Sequence, residues 1–237
     1  MNLSSIVKSG HTKSFTHGKA FFLYQADLVS DFEPQMLSSE YWHHKNAITG
    51  QAQGRGTTWF IKHQEQHWVL RHYYRGGLVG KLIHDHYLFT GIPNTRAVRE
   101  YLLLSQLQLL NLPAPKPVAC KIYKSGFSYR ADLLSSRIDN AIDLIGKLQN
   151  TQLSDELWQE IGKTIAKFHQ HGIYHHDLNI HNILIDDNQK VWIIDFDQGE
   201  VRSPKSSWQQ SNMRRLLRSF NKEKGKFSQL HWHQRNW

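Results

Sequence analysis

Short apolar segments separated by turn-forming residues make up the chain from residue 21 to residue 73, a pattern typical of antiparallel strands. Residues 57–61 and 67–71 are rich in β-branched and aromatic side chains, which favour strands. The polar residues 63–66 between them predict a turn, so the two runs are expected to form a hairpin. The preceding stretch, residues 50–56, contains three glycines and predicts another turn.

The apolar period changes to that of a helix over residues 95–110, and the helix is expected to end before Pro113. Within it, Glu100 lies in line with leucines at the i+3, i+4 and i+7 positions, so a carboxylate shares a mostly apolar face. The apolar stretch 101–115 is interrupted by polar residues. It is therefore too short and too polar to span a bilayer.

Two further strands are predicted at 118–123 and 127–134, and residues 135–141 indicate a crossover into the second half of the chain. The second half opens with a helix for which Ser154 is a suitable N-cap and Gly172 a C-terminal stop.

Strands are then expected at 182–185 and 191–194, and a basic helix at 208–220. Strands first and helices later predict an α+β fold. We expect one domain over residues 1–237, with a small antiparallel-sheet N-lobe (21–135) and a mainly helical C-lobe (136–237).

The amino-acid composition limits the classes of protein to which this chain can belong. Hydrophobic residues at 39% and aromatic residues at 12% favour a globular protein, since disordered chains are poor in both. A net charge of +9 favours anionic partners: nucleic acid, an acidic membrane surface, or a substrate with phosphates or carboxylates. The single cysteine, Cys120, cannot form an internal disulfide, and residues 1–19 lack the apolar core of a secretory signal. These features favour a cytoplasmic protein.

The strongest chemical signal lies in residues 175–182 and 193–197. The first segment, HHDLNIHN, has the form of the kinase catalytic loop H-R-D-L-x-x-x-N, and the second, IIDFD, that of D-F-G after an apolar strand. Phosphoryl transfer needs a carboxylate to orient and deprotonate the attacking hydroxyl, and hard oxygen ligands for Mg²⁺. Asp177 is therefore predicted as the catalytic base, and Asn182 and Asp195 as the metal ligands.

Two further segments indicate a more specific family: residues 69–77 (VLRHYYRGG) and 192–199 (WIIDFDQG). Together with the catalytic segment, they resemble the bacterial lipopolysaccharide inner-core kinases of the protein-kinase-like superfamily, most closely the branch acting on 3-deoxy-D-manno-octulosonic acid (Kdo). The resemblance covers about residues 54–220. It implies ATP as donor and, as acceptor, a Kdo hydroxyl on a lipid A precursor. It also implies peripheral contact with the cytoplasmic face of a Gram-negative inner membrane.

Arg71 stands where the kinase pattern V-A-I-K has its lysine. Because side chains alternate along a strand, Val69 would cover the adenine of ATP while Arg71 reaches the phosphates, with Glu100 as the partner of Arg71. Gly54 and Gly56 depart from the G-x-G-x-x-G spacing, so their stretch either covers the phosphates or is a simple turn.

Other departures from the protein-kinase motifs bear on the class of substrate. His176 replaces the arginine of H-R-D, which removes the usual receiver of an activation-loop phosphate. Asp197 replaces the glycine of D-F-G and would add a metal-binding or hydrogen-bonding group. No A-P-E segment follows, which disfavours a protein substrate.

Rival interpretations stay open at this point. The histidines of residues 169–181, with Asp177, would suit a zinc hydrolase, although no H-E-x-x-H pattern is present. The basic charge and eight tryptophans would suit a nucleic-acid-binding module, although no known motif of that class occurs. Among kinases, the acceptor would alternatively be an inner-core heptose. A cationic aminoglycoside fits the basic charge poorly.

The basic C-terminal stretch is predicted to hold the lipid-linked acceptor at the membrane. By their spacing, Arg214 and Arg218, or Arg215 and Arg218, share a helix face, and residues 222–226 add three lysines. Attraction to anionic head groups would supply about 1 kcal/mol per basic residue near the surface.

Overall fold

The computed structural model describes residues 2–8, 10–54, 56–75, 85–227 and 229–233. The chain divides into an N-terminal unit, Met1–Gln106 with Pro115–Arg137, and a C-terminal unit, Leu107–Ala114 with Ile138–Trp237. The short segment 107–114 joins the second unit because the Ile193 N–H donates a hydrogen bond to the Pro113 carbonyl there, at 3.0 Å. That the whole chain is one domain with lobes at 21–135 and 136–237 stays a prediction.

The described strands of the N-terminal unit form one antiparallel sheet in the order β1-β2-β7-β8-β5-β4-β3, with β6 paired to β8. Their bounds are β1 Thr12–His17, β2 Ala20–Gln25, β3 Ile48–Gln53, β4 Thr57–His63, β5 Gln66–His72, β6 Tyr87–Leu88, β7 Pro117–Ser125 and β8 Ser128–Ser136. The predicted β4–β5 and β7–β8 hairpins are confirmed. Strand β1 lies in a stretch whose alternation is too polar to be recognised in the sequence, since only Thr12 of it is buried.

The α-helices described in this unit are α1 Leu3–Lys8, α2 Ser39–His44 and α3 Arg96–Leu109, with 3-10 turns at Pro34–Leu37 and Ile92–Asn94. Helix α3 falls within one residue of its predicted limits. On β5, Trp68 and Leu70 pack into an apolar core with Trp42 of α2. Alternation along β5 turns Val69 and Arg71 to the other face of the sheet.

The C-terminal unit contains the helices α4 Leu144–Asn150, α5 Asp155–Gln170 and α6 Ser206–Lys224, and a 3-10 turn at Ile180–Asn182. Its strands are β9 Ala141–Asp143, β10 Ile173–Tyr174, β11 Ile183–Asp186, β12 Val191–Ile193 and β13 Glu200–Val201. They pair antiparallel as β12-β11-β9 and β10-β13. The boundary between the two units, at 137/138, falls within the crossover predicted at 135–141. This segment also contains the end of β8 and the start of β9, a strand of three residues that shows no period.

Helix α5 begins and ends as its sequence predicts. The Ser154 hydroxyl accepts a hydrogen bond from the Leu157 N–H at 3.3 Å, which satisfies a free donor of the first turn. Gly172 ends the helix with φ of +72°, and an added Cβ would lie 2.0 Å from the Arg202 carbonyl oxygen. Only glycine fits both the backbone angle and the space. The residues that follow Gly172 lead directly into the candidate catalytic loop.

Candidate active site

Asp177 lies in a loop whose backbone is held on both sides. Its N–H donates to Nδ1 of His175 at 3.2 Å, and its carbonyl accepts from the side-chain amides of Asn179 at 3.0 Å and Asn182 at 2.9 Å. The carboxylate itself points outward, with 54% of the side chain exposed. The loop therefore fixes the backbone of Asp177 and leaves its side chain accessible to a substrate.

His175 links this loop to the segment that carries Asp195. Its Nε2–H donates to the Ile194 carbonyl at 2.9 Å, while Nδ1 accepts from the Asp177 N–H. Burial lowers the pKa of His175, and the hydrogen bond with Ile194 only partly opposes this. A neutral ring with the proton on Nε2 satisfies both bonds. The sequence identifies His175 as the histidine of the H-R-D motif. Its position in the motif does not indicate that its ring connects the two segments.

Asn182 and Asp195, the predicted metal ligands, lie at the ends of the hairpin formed by β11 and β12. The Ile194 N–H donates to the Asn182 carbonyl at 3.0 Å, which ties the two ends together through the backbone. The Asn182 side chain uses its NH₂ group on the Asp177 carbonyl, so its amide oxygen is the atom that can bind a cation. An amide oxygen and a carboxylate fit the oxygen ligands that Mg²⁺ prefers.

Asp195 has φ of +63°, in the left-handed region. Aspartate and asparagine tolerate this region better than other residues with a side chain, although at some cost. The next residue, Phe196, is 1% exposed and packs against Phe168 and the His175 ring, with centroids 5.6 and 4.8 Å apart. Packing of Phe196 thus holds the unusual backbone at Asp195.

Arg215, one of the arginines of the basic C-terminal stretch, contacts the catalytic loop. Its Nη1 lies 3.3 Å from Oδ1 of Asp177. Arg214 and Arg218 are exposed, whereas Arg215 is half-buried. The spacing allows Arg218 to share a face with Arg214 or with Arg215, and packing of α6 turns Arg215 toward the catalytic loop.

Helix α6 contacts that loop along one face. Asn212 exchanges two hydrogen bonds with the backbone of His175, at 3.3 and 3.0 Å, and the Ser219 hydroxyl accepts from the Ile180 N–H at 3.0 Å. Glu223, one turn further, lies 3.5 Å from Nε2 of His181. Positions 212, 215, 219 and 223 are three or four residues apart and therefore share one side of the helix.

In the N-terminal unit, Arg71 of β5 forms an ion pair with Glu100 of α3, as the strand and helix periods predict. The Tyr73 hydroxyl donates to the other oxygen of the Glu100 carboxylate. Burial raises the pKa of Tyr73 well above its usual value, and the Glu100 charge adds to this. The Glu100 side chain is 1% exposed and that of Arg71 25%, so the pair holds a partly accessible cation in a fixed place.

The other predicted nucleotide-binding residues lie near this pair in the sheet. Val69 is half-buried on the same strand face as Arg71. The turn prediction was wrong for Gly50, which belongs to β3, while Gly54 and Gly56 do lie in the connection to β4. At Gly56 an added Cβ would lie 2.0 Å from the Tyr74 ring, so a larger residue would require that ring to move. Arg55 between these glycines, and Gly76–Gly77 of the 69–77 motif, lie outside the described residues.

The histidines proposed for a zinc site point to different partners. His175 uses one ring nitrogen on the Asp177 N–H and the other on the Ile194 carbonyl, His181 lies 3.2 Å from Oδ2 of Asp143, and His169 packs against Trp208. Among the residues that the structure describes, no three His, Cys, Asp or Glu side chains come together as a metal-binding group. Each of these three histidines thus makes its own separate contacts.

An α+β fold with this catalytic loop and Arg–Glu pair is that of a protein-kinase-like phosphotransferase. The family model of the lipopolysaccharide kinase (Kdo/WaaP) family matches residues 39–237. The chain therefore belongs to the lipopolysaccharide kinase (Kdo/WaaP) family, as its motifs indicated.

Curated proteins similar to this chain carry the name 3-deoxy-D-manno-octulosonic acid kinase. The protein from Vibrio parahaemolyticus is 48% identical over 213 residues, which cover 90% of this chain and 89% of the relative. That from Vibrio cholerae is 48% identical over 83% of each chain. That from Mannheimia succiniciproducens is 45% identical over 93% of this chain and 94% of its own length. The similarity thus extends over nearly the whole chain.

Proposed function

We propose that this chain transfers the γ-phosphoryl group of ATP to a hydroxyl of Kdo in the lipopolysaccharide inner core, on a Kdo–lipid A precursor. The observation that carries the proposal is the exposed carboxylate of Asp177, held by three backbone hydrogen bonds within the loop motif of a kinase. Family membership and relatives that bear the name of a Kdo kinase support the choice of acceptor.

In this proposal Asp177 orients the acceptor hydroxyl and accepts its proton. The hydroxyl oxygen forms a bond to the γ-phosphorus of ATP while the bond from that phosphorus to the bridging oxygen breaks, and ADP leaves. An exposed side chain on a fixed backbone suits this role because the carboxylate has to reach a substrate oxygen at hydrogen-bond distance.

Asn182 and Asp195 would hold Mg²⁺ through the Asn182 amide oxygen and the Asp195 carboxylate. Mg²⁺ is commonly bound by one or two protein side chains together with phosphates and water, so two oxygen ligands suit it. When bound, the ion would neutralise charge on the phosphates of ATP. The hydrogen bond to the Asp177 carbonyl keeps the Asn182 side chain in place, and that between the Ile194 N–H and the Asn182 carbonyl holds the backbone next to Asp195.

Arg71 would contact the ATP phosphates, with Glu100 holding its guanidinium, and Val69 would pack against adenine. The guanidinium carries several N–H donors in a planar fork, so it can bind Glu100 with one edge and a phosphate oxygen with another. Gly54 and Gly56 would let the backbone of their turn approach the phosphates without a side chain in the way.

The experiment is a transfer assay with labelled ATP and purified protein. The acceptors are the Kdo–lipid A precursor, a heptosylated core and an aminoglycoside, each with and without Mg²⁺. We expect label to enter the Kdo precursor and, since the acceptor hydroxyl belongs to Kdo, to stay in the Kdo fragment after mild acid release. Label on heptose alone would contradict Kdo as the acceptor, although the protein would still act as a kinase.

Contact with an anionic membrane surface is a further part of the proposal. The described residues contain no helix with the length and apolar character needed to cross a bilayer. With Arg215 excluded, Arg214, Arg218 and Lys222 form an exposed basic stripe at four-residue spacing on α6. This stripe would bind anionic head groups at about 1 kcal/mol per residue.

To test this, the double variant Arg214→Gln/Arg218→Gln is compared with Lys163→Gln/Lys167→Gln, which removes the same charge from the exposed side of α5. We expect the first variant alone to bind anionic vesicles about tenfold or more weakly, since two contacts at about 1 kcal/mol each are lost. Affinity for ATP should be unchanged. Equal vesicle binding by both variants would show that the stripe is only a solvated surface.

A further inference from the structure

Arg215 is positioned by the turns of α6 on either side of it. Asn212 precedes it by three residues and Ser219 follows it by four, and both are hydrogen-bonded to the backbone of the catalytic loop. Leu216, next to it, is 1% exposed and anchors the helix in the core. The guanidinium is therefore brought to the Asp177 carboxylate by the helix and not by a chance surface contact.

The contact between the two side chains is nevertheless incomplete. It consists of one ion pair, Nη1 to Oδ1 at 3.3 Å, whereas charge-assisted hydrogen bonds are usually 2.7–2.9 Å and arginine binds carboxylates best through two parallel bonds. The two side chains are 41% and 54% exposed. Within the described part of the chain, this is the one ion pair of Arg215, so most N–H donors of its fork remain available to a ligand.

The proposed acceptor creates a need for such a donor. It is a sugar acid, so its carboxylate would approach the site where Asp177 already carries a negative charge. A cation beside Asp177 offsets that repulsion, and a guanidinium fork matches the planar carboxylate with two bonds. The half-buried position of Arg215 strengthens this attraction relative to that of a fully exposed side chain.

We propose that Arg215 binds the carboxylate of the acceptor sugar next to the catalytic Asp177 and thereby selects an acidic sugar. The inference rests on the proposed function and names the residue that recognises the acceptor. It also assigns one arginine of the basic C-terminal stretch to substrate recognition, apart from its exposed neighbours Arg214 and Arg218.

The test uses two acceptors: the Kdo–lipid A precursor, and the same compound with its sugar carboxylate converted to the carboxamide. For the acid, Arg215→Gln should raise the acceptor KM about 10- to 100-fold, as expected for loss of hydrogen bonds to a charged group. For the wild-type protein, the acceptor KM should be higher on the amide than on the acid by a similar factor. On the amide, Arg215→Gln should have nearly the same KM as the wild type, because the interaction with the carboxylate is already absent.

Three controls separate this role from a structural one. Arg215→Lys keeps the charge without the fork and should restore part of the affinity for the acid. Lys163→Gln removes an exposed charge from α5 and should change nothing. The KM for ATP and the midpoint of thermal unfolding should be the same in all of these variants.

An unchanged acceptor KM in Arg215→Gln would overturn the inference. An equal loss on the acid and the amide would also overturn it, since Arg215 would then act on the transferred phosphoryl group or on Asp177 alone. No phosphorylation of the Kdo–lipid A precursor by the wild-type protein would instead overturn the proposed function, and this inference with it.

Discussion

The two units hold their arginine–carboxylate pairs in contrasting ways. In the N-terminal unit, the Glu100 side chain is 1% exposed and that of Arg71 25%, and the Tyr73 hydroxyl donates to the same carboxylate. In the C-terminal unit, Asp177 and Arg215 are both about half exposed and meet at a single contact. The first pair is built on a buried carboxylate, whereas both members of the second pair are accessible to a ligand.

The same contrast extends to histidines. His72 in the N-terminal unit lies between Asp132 and Asp85, at 2.7 and 3.0 Å. Burial alone would lower its pKa, but these two carboxylates together raise it. His175 in the C-terminal unit is hydrogen-bonded to backbone groups, and burial lowers its pKa. Charge thus fixes the His72 ring, whereas hydrogen bonds to neutral backbone groups fix the His175 ring.

Removing each arginine in turn tests the contrast between the two pairs most strongly. Arg71→Met leaves the buried Glu100 carboxylate without its cation, which costs about 3–5 kcal/mol for a fully buried pair. The 25% exposure of Arg71 places the expected loss near the lower end of that range. Arg215→Met should cost less than about 1 kcal/mol, because exposed ion pairs contribute little.

Urea unfolding followed by tryptophan fluorescence measures both losses. Arg71→Lys serves as the matched variant, since it keeps the cation and should recover most of the stability while still raising the KM for ATP. Equal destabilisation by Arg71→Met and Arg215→Met would show that the two pairs do not differ as described.

A smaller effect on stability is expected at Asp195. Two variants there separate the role of the backbone conformation from that of the carboxylate charge. Asp195→Asn tolerates the left-handed backbone, whereas Asp195→Ala should be less stable by about 1 kcal/mol because alanine lacks the short polar side chain that can hydrogen-bond locally in that region. Both variants lack the carboxylate, so both should bind Mg-ATP more weakly than the wild type. Thermal unfolding and Mg²⁺-dependent ATP titration check the two parts, and equal stability of the two variants would contradict the role given to the backbone.

The smallest effect concerns pH. The lowered pKa of His175 means that the unfolded chain takes up a proton first as the pH falls below about 6.5, so this residue reduces stability on acidification. The raised pKa of His72 has the opposite effect: its stabilisation is present below about 6.5 and is lost as the pH rises through the folded-state value. Histidine NMR titration should therefore find His72 protonated at a pH where His175 is neutral. The reverse order would contradict the contrast.

The parts of the site that the sequence predicts are those set by local spacing. Asp177 and Asn182 belong to eight consecutive residues, so their motif alone places them in one loop. The pairing of Arg71 with Glu100 followed from the strand and helix periods, each of which determines the direction of a side chain.

Arg215 could not be placed in this way. The period of α6 shows which residues share a face, but the face that turns to the catalytic loop depends on the packing of residues such as Leu216 and Phe220. The same limit applies to His175, whose bridging role arises because the chain folds Ile194 back onto it. Tertiary contacts decide such positions, and no single segment contains them.

The central claim, that Asp177 serves a phosphoryl transfer to Kdo, is tested most directly by Asp177→Asn. This change keeps the size of the side chain and the backbone hydrogen bonds of the loop, so folding and ATP binding should be retained. Transfer of label from ATP to the Kdo–lipid A precursor should fall on the order of 10²–10⁴-fold, the usual cost of losing a general base. A folded Asp177→Asn protein that phosphorylates this precursor at nearly the wild-type rate would contradict the account.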